Sequence, residues 1–339
     1  MSTARPTLNA SARSAVGGIP AATGANAAGG VVGVAGGAAG AAGEVLGVRA
    51  GAAGAAGGVV GVTAGGAGAA AGSVGATGGA AGATGEAAAR AESLLRYLLR
   101  LGDTSLVLGQ RLGEWVGHAP ALEEDLGLAN LALDLVGQAR LLLTYAGEVE
   151  GKGRDEDALA FFRDAPQFLN LTLAEQPNGD FAHTIVRQVL LDAWQLELYE
   201  ALSKSADTRL AAIAAKAVKE SRYHFRFSSG WLVRLGDGTE ESHGRAQGAV
   251  NNLWRFTDEL FAPDELDEQM AAVGVAPRLA ELQPLWSARI DEVFREATLQ
   301  RPASVRYPWH GKRGVHTEYL GHMLTEMQHL QRTYPGAQW

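Results

Sequence analysis

Residues 219–227 (KESRYHFRF) form the stretch of the sequence whose residue types come closest to a metal-binding motif. Proteins with a di-iron centre inside a four-helix bundle place a Glu and a His three residues apart on one helix, so that both side chains reach the same metal pair. Here His224 is present, but the position three residues before it is Ser221. Glu220 lies one residue further back, which rotates its side chain by about 100° around the helix. The stretch therefore looks like half of a di-iron site that has lost a ligand.

The other predicted helices supply few further ligands, whereas a di-iron site needs carboxylates from four helices and two imidazoles. The candidates are Asp134 and Gln138 on the second long helix, Asp192 on the third, and Glu114 near the end of the first. Gln is a neutral, weak ligand and a poor substitute for imidazole. Two interpretations stay open. One is a di-iron site with shifted ligands, and the other, which we favour, is a buried polar cluster satisfied by hydrogen bonds or an ion pair. The shifted ligands would be Asp134, Asp192, Glu220 and His224.

Three further patterns have simpler explanations. Glu326 and His329 match Glu-x-x-His, but the match stands alone near the C-terminus, and a solvated helix face is expected there. The basic residues around 312–322 could meet an anion or an acidic partner, but a solvated basic turn is favoured; they are Lys312, Arg313, His316 and His322. The tryptophans at helical spacings are expected in the core or at subunit contacts rather than around a cofactor. They are Trp115, Trp194, Trp231, Trp254 and Trp286.

Composition divides the chain of 339 residues at about residue 85. Residues 1–85 hold 25 of the 45 glycines, no aromatic residue and four charged residues, and we expect this arm to be disordered. Glycine interrupts its apolar run too often for a transmembrane helix. The remaining 86–339 are long enough for one large core. The net charge of −8 does not favour nucleic acid or an anionic membrane as a partner, and the absence of cysteine excludes thiolate metal sites and suits the cytoplasm.

Apolar periodicity predicts only helices beyond residue 86, because no segment alternates with period two for long enough to form a strand. The expected helices are 87–100 continuing as 104–116, 120–150, 157–162, 181–205, 208–235, 242–261, 264–273, 278–299 and 314–333. Asp180 and Asp207 are the expected N-caps of the third and fourth long helices. The second long helix is apolar on most of its surface, and its core stripe is expected at Leu122, Leu126, Ala129, Leu133 and Val136, widened by Leu128, Leu131, Leu135 and Leu142. The predicted class is all-α, a four-helix bundle with additional C-terminal helices.

Long segments between residues 98 and 339 closely resemble the C-subunit family of the multicomponent phenylacetyl-CoA 1,2-epoxidases. They include LGLANLALDLVGQAR (126–140), AAKAVKESRYHFRFSSGWLVRLGDGT (214–239) and GVHTEYLGHMLTEMQHLQRTYPGAQW (314–339). The resemblance implies a ferritin-like fold and a structural role in a hetero-oligomer of phenylacetate catabolism. The partner would be the catalytic A subunit, which carries the di-iron centre, together with the other subunits of the complex.

The metal pattern of the catalytic subunit, set on this chain by that resemblance, is mostly absent. The Glu and His of the second helix fall on Leu135 and Gln138, and those of the fourth fall on Ser221 and His224. The Asp of the third helix falls on Asp192, while the Glu of the first falls near Ser105. Two of six ligands remain, Asp192 and His224, so the resemblance implies no metal, no other cofactor and no catalytic residue in this chain. An independent oxygenase with shifted ligands and a ferritin-like adaptor outside phenylacetate metabolism are the alternatives.

Overall fold

The computed structural model describes residues 78–303 and 308–337. Of the arm 1–85 that was expected to be disordered, residues 1–77 lie outside the described residues, and residues 78–85 are helical rather than disordered. Within these ranges the chain forms nine α-helices and no strand, with one isolated bridge between His310 and Val315. The helices are α1 (Gly78–Gly113), α2 (Leu122–Glu150), α3 (Glu156–Phe161), α4 (Phe181–Leu202), α5 (Thr208–Gly236), α6 (Glu240–Leu253), α7 (Glu265–Ala272), α8 (Leu279–Glu296) and α9 (Glu318–Thr333). The predicted all-α class is confirmed.

Four long helices, α1, α2, α4 and α5, form a ferritin-like bundle. The helices α1 and α2 pack antiparallel, since Gly102 lies against Leu143 and Gly109 lies against Val136. The helices α4 and α5 form the second antiparallel pair, since Asp192 contacts Ser228 and Glu200 contacts Arg222, and the shorter helices pack around the bundle. The helix α1 starts eight residues before the predicted boundary at residue 86 and runs without a break through residues 101–103, where the sequence suggested a loosening.

Most helix starts follow from local capping. Asp180 and Asp207 accept hydrogen bonds from the backbone N–H groups of His183 and Leu210, so both predicted N-caps are confirmed. Two predicted starts are early. The helix α2 starts at Leu122 rather than at residue 120, and α9 starts at Glu318 rather than at residue 314. Gly314 has a φ of 80°, a left-handed conformation that ends a short 3₁₀ turn and cannot begin an α-helix.

The helix α2 buries one of its two apolar faces and exposes the other, and the predicted core stripe was wrong in this respect. Leu128, Leu131, Leu135 and Leu142 are fully buried, but the outer positions of the helix are open to solvent. The exposed fractions are 69% for Leu122, 56% for Leu126, 69% for Leu133 and 38% for Val136. We call these four residues the α2 stripe. Among the described residues, α2 is also the helix that is long and apolar enough to cross a membrane, a test that core helices of soluble proteins pass as well.

A buried ion pair ties the loop before α4 to the middle of α1. Asp103 and Arg163 are almost completely inaccessible to solvent, and Arg163 Nη1 lies 3.0 Å from Asp103 Oδ2. Asp103 also accepts a hydrogen bond of 2.8 Å from the backbone N–H of Leu169. The guanidinium lies over the ring of Phe168, 4.3 Å from its centroid. Arg163 Nη2 also donates to Asp103 Oδ1, so the carboxylate has fixed partners for both oxygens, which is the condition under which a buried ion pair is tolerated.

Candidate functional site

His224 and Asp134 form a pair between α5 and α2 near the centre of the bundle. His224 is fully buried, and its Nε2 lies 3.0 Å from Asp134 Oδ2. The Asp134 side chain reaches outward and is 40% exposed. A carboxylate only accepts hydrogen bonds, so Nε2 carries the proton in this contact, and Nδ1 has no protein partner. The imidazole is thereby oriented towards the bundle surface.

Asp192 on α4 is satisfied by neutral donors. Gln188 Nε2 donates to Asp192 Oδ1 at 2.6 Å, and Ser228 Oγ donates to Asp192 Oδ2 at 2.7 Å. Complete burial raises the pKa of the Asp192 carboxyl to about 6, while the nearby His224 and the two hydrogen bonds act in the opposite direction. Burial disfavours the charged form of an acid, so it dominates here.

The remaining positions of the di-iron pattern point into the same interior but carry weak or no ligands. Leu135 and Ser221 are fully buried, and Ser221 Oγ has no hydrogen-bond partner. Gln138 donates from Nε2 to Glu220 Oε2 at 3.0 Å, which uses the carboxylate that a shifted site would need. Ser105 Oγ lies 3.3 Å from the hydroxyl of Tyr199.

These residues do not fit a di-iron centre. The shifted set is divided between separate partners, because Asp134 pairs with His224, Glu220 pairs with Gln138, and Asp192 accepts from two neutral side chains. Within residues 78–303 and 308–337, no group of three or more His, Asp or Glu side chains is arranged to hold a metal ion. Glu114, the candidate ligand from the first long helix, instead lies at the end of the bundle and pairs with Arg111 at 2.7 Å.

The isolated Glu-x-x-His match lies on solvent-facing positions of α9. Both Glu326 and His329 are exposed, as expected for a solvated helix face.

The basic segment before α9 differs from the solvated turn that the sequence predicts. Lys312 is largely buried and lies 2.9 Å from Asp267, so the segment is not a solvated turn at this residue.

His316 also differs from the predicted solvated turn, because its side chain is buried. Its Nδ1 lies 2.7 Å from Glu175 Oε2, and its Nε2 lies 2.8 Å from the carbonyl of Phe168. Glu175 is fully buried and accepts further bonds from Asn170 and from Thr317. The hydrogen bond to Glu175 and its charge raise the pKa of His316 against the opposing effect of burial. The segment therefore fastens the C-terminal chain to the buried loop before α4 rather than meeting a ligand.

The neutral partners of Asp192 were not predicted from the sequence. Gln188 lies four residues before Asp192 on α4, and Ser228 lies four residues after His224 on α5. Residues four apart share a helix face, so small polar residues at this spacing beside a buried carboxylate are the signal that could have found them. Tyr199 gives no such signal, because its contact with Ser105 joins two helices that are far apart in sequence.

Comparison with known proteins assigns the family. The family model described as "Phenylacetic acid catabolic protein" matches residues 80–339. The chain belongs to this family. A curated relative, the C subunit of the 1,2-phenylacetyl-CoA epoxidase of Escherichia coli (strain K12), is 57% identical over 246 residues, which cover 73% of this chain and 99% of the relative. The predicted relationship is thus confirmed. The region that the family model matches begins near the start of α1 and includes all four helices of the bundle.

The buried Asp192 predicts a pH-dependent stability for this chain. Its pKa is raised from an ordinary 3.8 to about 6, so the fold favours the neutral acid. The stability that neutral Asp192 contributes is fully present below the pKa of this carboxyl in the unfolded chain. It is lost as the pH rises through the pKa of the carboxyl in the folded chain. Asp192→Asn stays neutral, and Gln188 can rotate its amide to accept from the new donor. Its free energy of unfolding relative to wild type should increase by about 2 kcal/mol between about pH 4.5 and about pH 7.5.

Urea unfolding at the two pH values measures this difference, and Asp157→Asn, at an exposed carboxylate, is the matched control. The control should shift the free energy of unfolding by less than about 0.5 kcal/mol at either pH. An unchanged difference between Asp192→Asn and wild type across the pH range would contradict the assigned protonation of Asp192.

Proposed function

We propose that the chain is the non-catalytic, structural subunit of a phenylacetyl-CoA epoxidase complex and that it supports a di-iron catalytic subunit. The relative with 57% identity is named as the C subunit of such an enzyme. The observation that carries the non-catalytic part is the identity of three buried residues. Leu135, Gln138 and Ser221 occupy positions where the catalytic pattern has ligands. Neither a Leu nor a Ser side chain can supply the carboxylate charge that a pair of iron ions requires.

In this proposal the chain contributes a protein surface and no reacting group. The reaction of the complex is the O₂- and NADPH-dependent epoxidation of phenylacetyl-CoA, with the di-iron centre held by the catalytic subunit and electrons supplied by a separate reductase. A subunit with the same fold can offer a full interface without maintaining a second set of buried carboxylates, which would be costly to desolvate. The hydrogen bonds around Asp192 and His224 then serve the stability of the bundle.

The α2 stripe is the surface that we assign to the catalytic subunit. Four apolar side chains follow one another on the outer face of α2, and Leu122 and Leu133 are each 69% exposed. A contiguous exposed apolar strip marks an interaction surface. Gly137 lies on the same side with open space around its Cβ position, which allows another helix to approach closely. We therefore place the main contact of the hetero-oligomer at α2.

The remaining partners follow from charge and from the relative. The complex would hold further subunits, as the name of the relative implies for that protein. The net charge of −8 argues against nucleic acid and anionic membranes as partners, and we place the complex in the cytoplasm.

Expression of the chain alone and together with the catalytic subunit tests the proposal. The chain alone should purify with substoichiometric iron and no epoxidase activity, and the pair should contain iron and, with the reductase, form the epoxide. Iron analysis and product detection by mass spectrometry are the measurements. Stoichiometric iron in the single chain that is lost in His224→Ala would instead favour an independent oxygenase. Failure of the chain to bind the catalytic subunit would favour an adaptor outside phenylacetate metabolism.

A further inference from the structure

The helix α5 carries a strong positive charge in an acidic protein. It contains six Lys or Arg residues and one acidic residue, Glu220, whereas the whole chain has a net charge of −8. The helical period places all six on the outward face and all six are exposed, but Arg209 forms an ion pair with Glu148, which leaves five. We call them the basic row: Lys216, Lys219, Arg222, Arg226 and Arg234. At a rise of about 1.5 Å per residue, the row is about 27 Å long.

The charge of the basic row is only partly neutralised. Lys216 lies 3.7 Å from Glu220, and Arg222 lies 2.8 Å from Glu200. Among the described residues, Lys219, Arg226 and Arg234 have no carboxylate within ion-pair distance. Arg226 lies over the ring of Tyr223 and Arg234 over that of Trp231, at 5.5 Å and 4.9 Å from the centroids. Three cations of the row are therefore available to an acidic group from outside the chain.

The basic row is next to the α2 stripe. The helices α2 and α5 are neighbours, because His224 contacts Asp134 and Glu220 contacts Gln138. On its far side, α5 borders a groove of about 480 Å³ against α8, which Arg226 and Arg234 of the row line together with Glu292 and Glu296. Gly230 lies in the outward face with no atom within 4 Å of its Cβ position, so the row is open to a close approach at this point.

The area of the α2 stripe is too small for a stable interface by itself. Leu122 to Val136 covers about 21 Å of helix about 10 Å wide, whereas a standard interface buries about 800 Å² on each partner. Extension over the neighbouring face of α5 roughly doubles the area. Such an interface has an apolar centre and a charged edge, which is the usual arrangement of protein contacts.

We propose that the subunit that covers the α2 stripe also presents an acidic strip to the basic row of α5. The inference rests on the proposed function, since it extends the same contact. An acidic protein surface fits better than a long polyanion, because the net charge of −8 repels nucleic acid and anionic membranes at longer range. A nucleic acid bound to the row would also leave the exposed leucines of the α2 stripe on the neighbouring helix uncovered. Complementary charges at an interface edge steer association and fix orientation.

Association kinetics test the inference. The purified chain and the catalytic subunit are mixed at about 50 mM and about 500 mM NaCl, where the Debye length falls from roughly 14 Å to roughly 4 Å. For Arg226→Glu/Arg234→Glu, the association rate constant should fall at least about tenfold at low salt and approach the wild-type value at high salt. The matched control is Lys204→Glu/Arg255→Glu, which makes the same change in net charge at exposed residues outside the row. It should change the rate less than about twofold.

The possible results distinguish a failure of the proposed contact at the basic row from a failure of the proposed function. Loss of binding in α2-stripe variants together with an unchanged rate in the row variant overturns the inference and leaves the function. An equal fall in the row variant and the control overturns it as well, since net charge alone would explain the result. If the wild-type chain does not bind the catalytic subunit, the proposed function fails first. Binding of a single-stranded 20-mer DNA or of phosphatidylglycerol vesicles that is lost in the row variant would assign the row to another polyanion.

Discussion

Replacement of Leu126 and Leu133 together by Asp is expected to abolish binding to the catalytic subunit without unfolding the chain. Both side chains are more than half exposed, so the isolated fold loses little packing. In the interface, each buried leucine contributes about 1.5–3 kcal/mol, and each unpaired carboxylate adds a further desolvation penalty. A total of about 6 kcal/mol weakens the dissociation constant by roughly 10⁴. Size-exclusion chromatography and calorimetric titration with the catalytic subunit measure this loss.

A matched control is available on another helix. Leu285 on α8 is 52% exposed, so Leu285→Asp makes the same chemical change outside the α2 stripe. This variant should bind the catalytic subunit as wild type does. Helix content and thermal stability of all three proteins should stay close to each other, since Asp in an exposed helix position has an effect of less than about 1 kcal/mol. Wild-type affinity in Leu126→Asp/Leu133→Asp would remove α2 from the proposed interface.

The α2 stripe also shows how far the sequence predicts this fold. The helices, their order and two of their caps follow from local patterns, because apolar spacing and capping residues act over a few positions. The choice between the two apolar faces of α2 does not. Leu133 and Leu135 are equally apolar, yet one is exposed and the other is fully buried. That difference depends on where α1, α4 and α5 pack, which local spacing does not contain.

The candidate site was also predicted only in part: its positions were predicted, but its contacts were not. The resemblance predicted Asp192 and His224 as remnants and Leu135, Gln138 and Ser221 as lost positions, and the structure brings all five to the bundle interior. The favoured interpretation, a buried polar cluster satisfied by hydrogen bonds or an ion pair, agrees with these contacts, but the specific pairs of His224 with Asp134 and of Gln138 with Glu220 were not predicted. Contacts between helices depend on register, which is set by the whole core.

The largest effect on stability is expected from the buried pair of α1 and the loop before α4. Asp103→Ala leaves the Arg163 guanidinium in the core without its carboxylate and removes the acceptor for the backbone N–H of Leu169. Removal of one partner of a buried ion pair lowers the free energy of unfolding by about 3–5 kcal/mol. The lost backbone bond adds about 1–3 kcal/mol. Urea unfolding of the single chain measures the sum.

Two variants separate the buried charge from a loss of packing. Asp103→Leu/Arg163→Met removes both charges while keeping apolar volume, so it should be more stable than Asp103→Ala despite two substitutions, because no unpaired cation remains in the core. Asp291→Ala breaks the exposed pair with Arg301, whose atoms are 2.8 Å apart, and should change stability by less than about 1 kcal/mol. A double variant as unstable as Asp103→Ala would show that shape, rather than charge, holds the loop against α1.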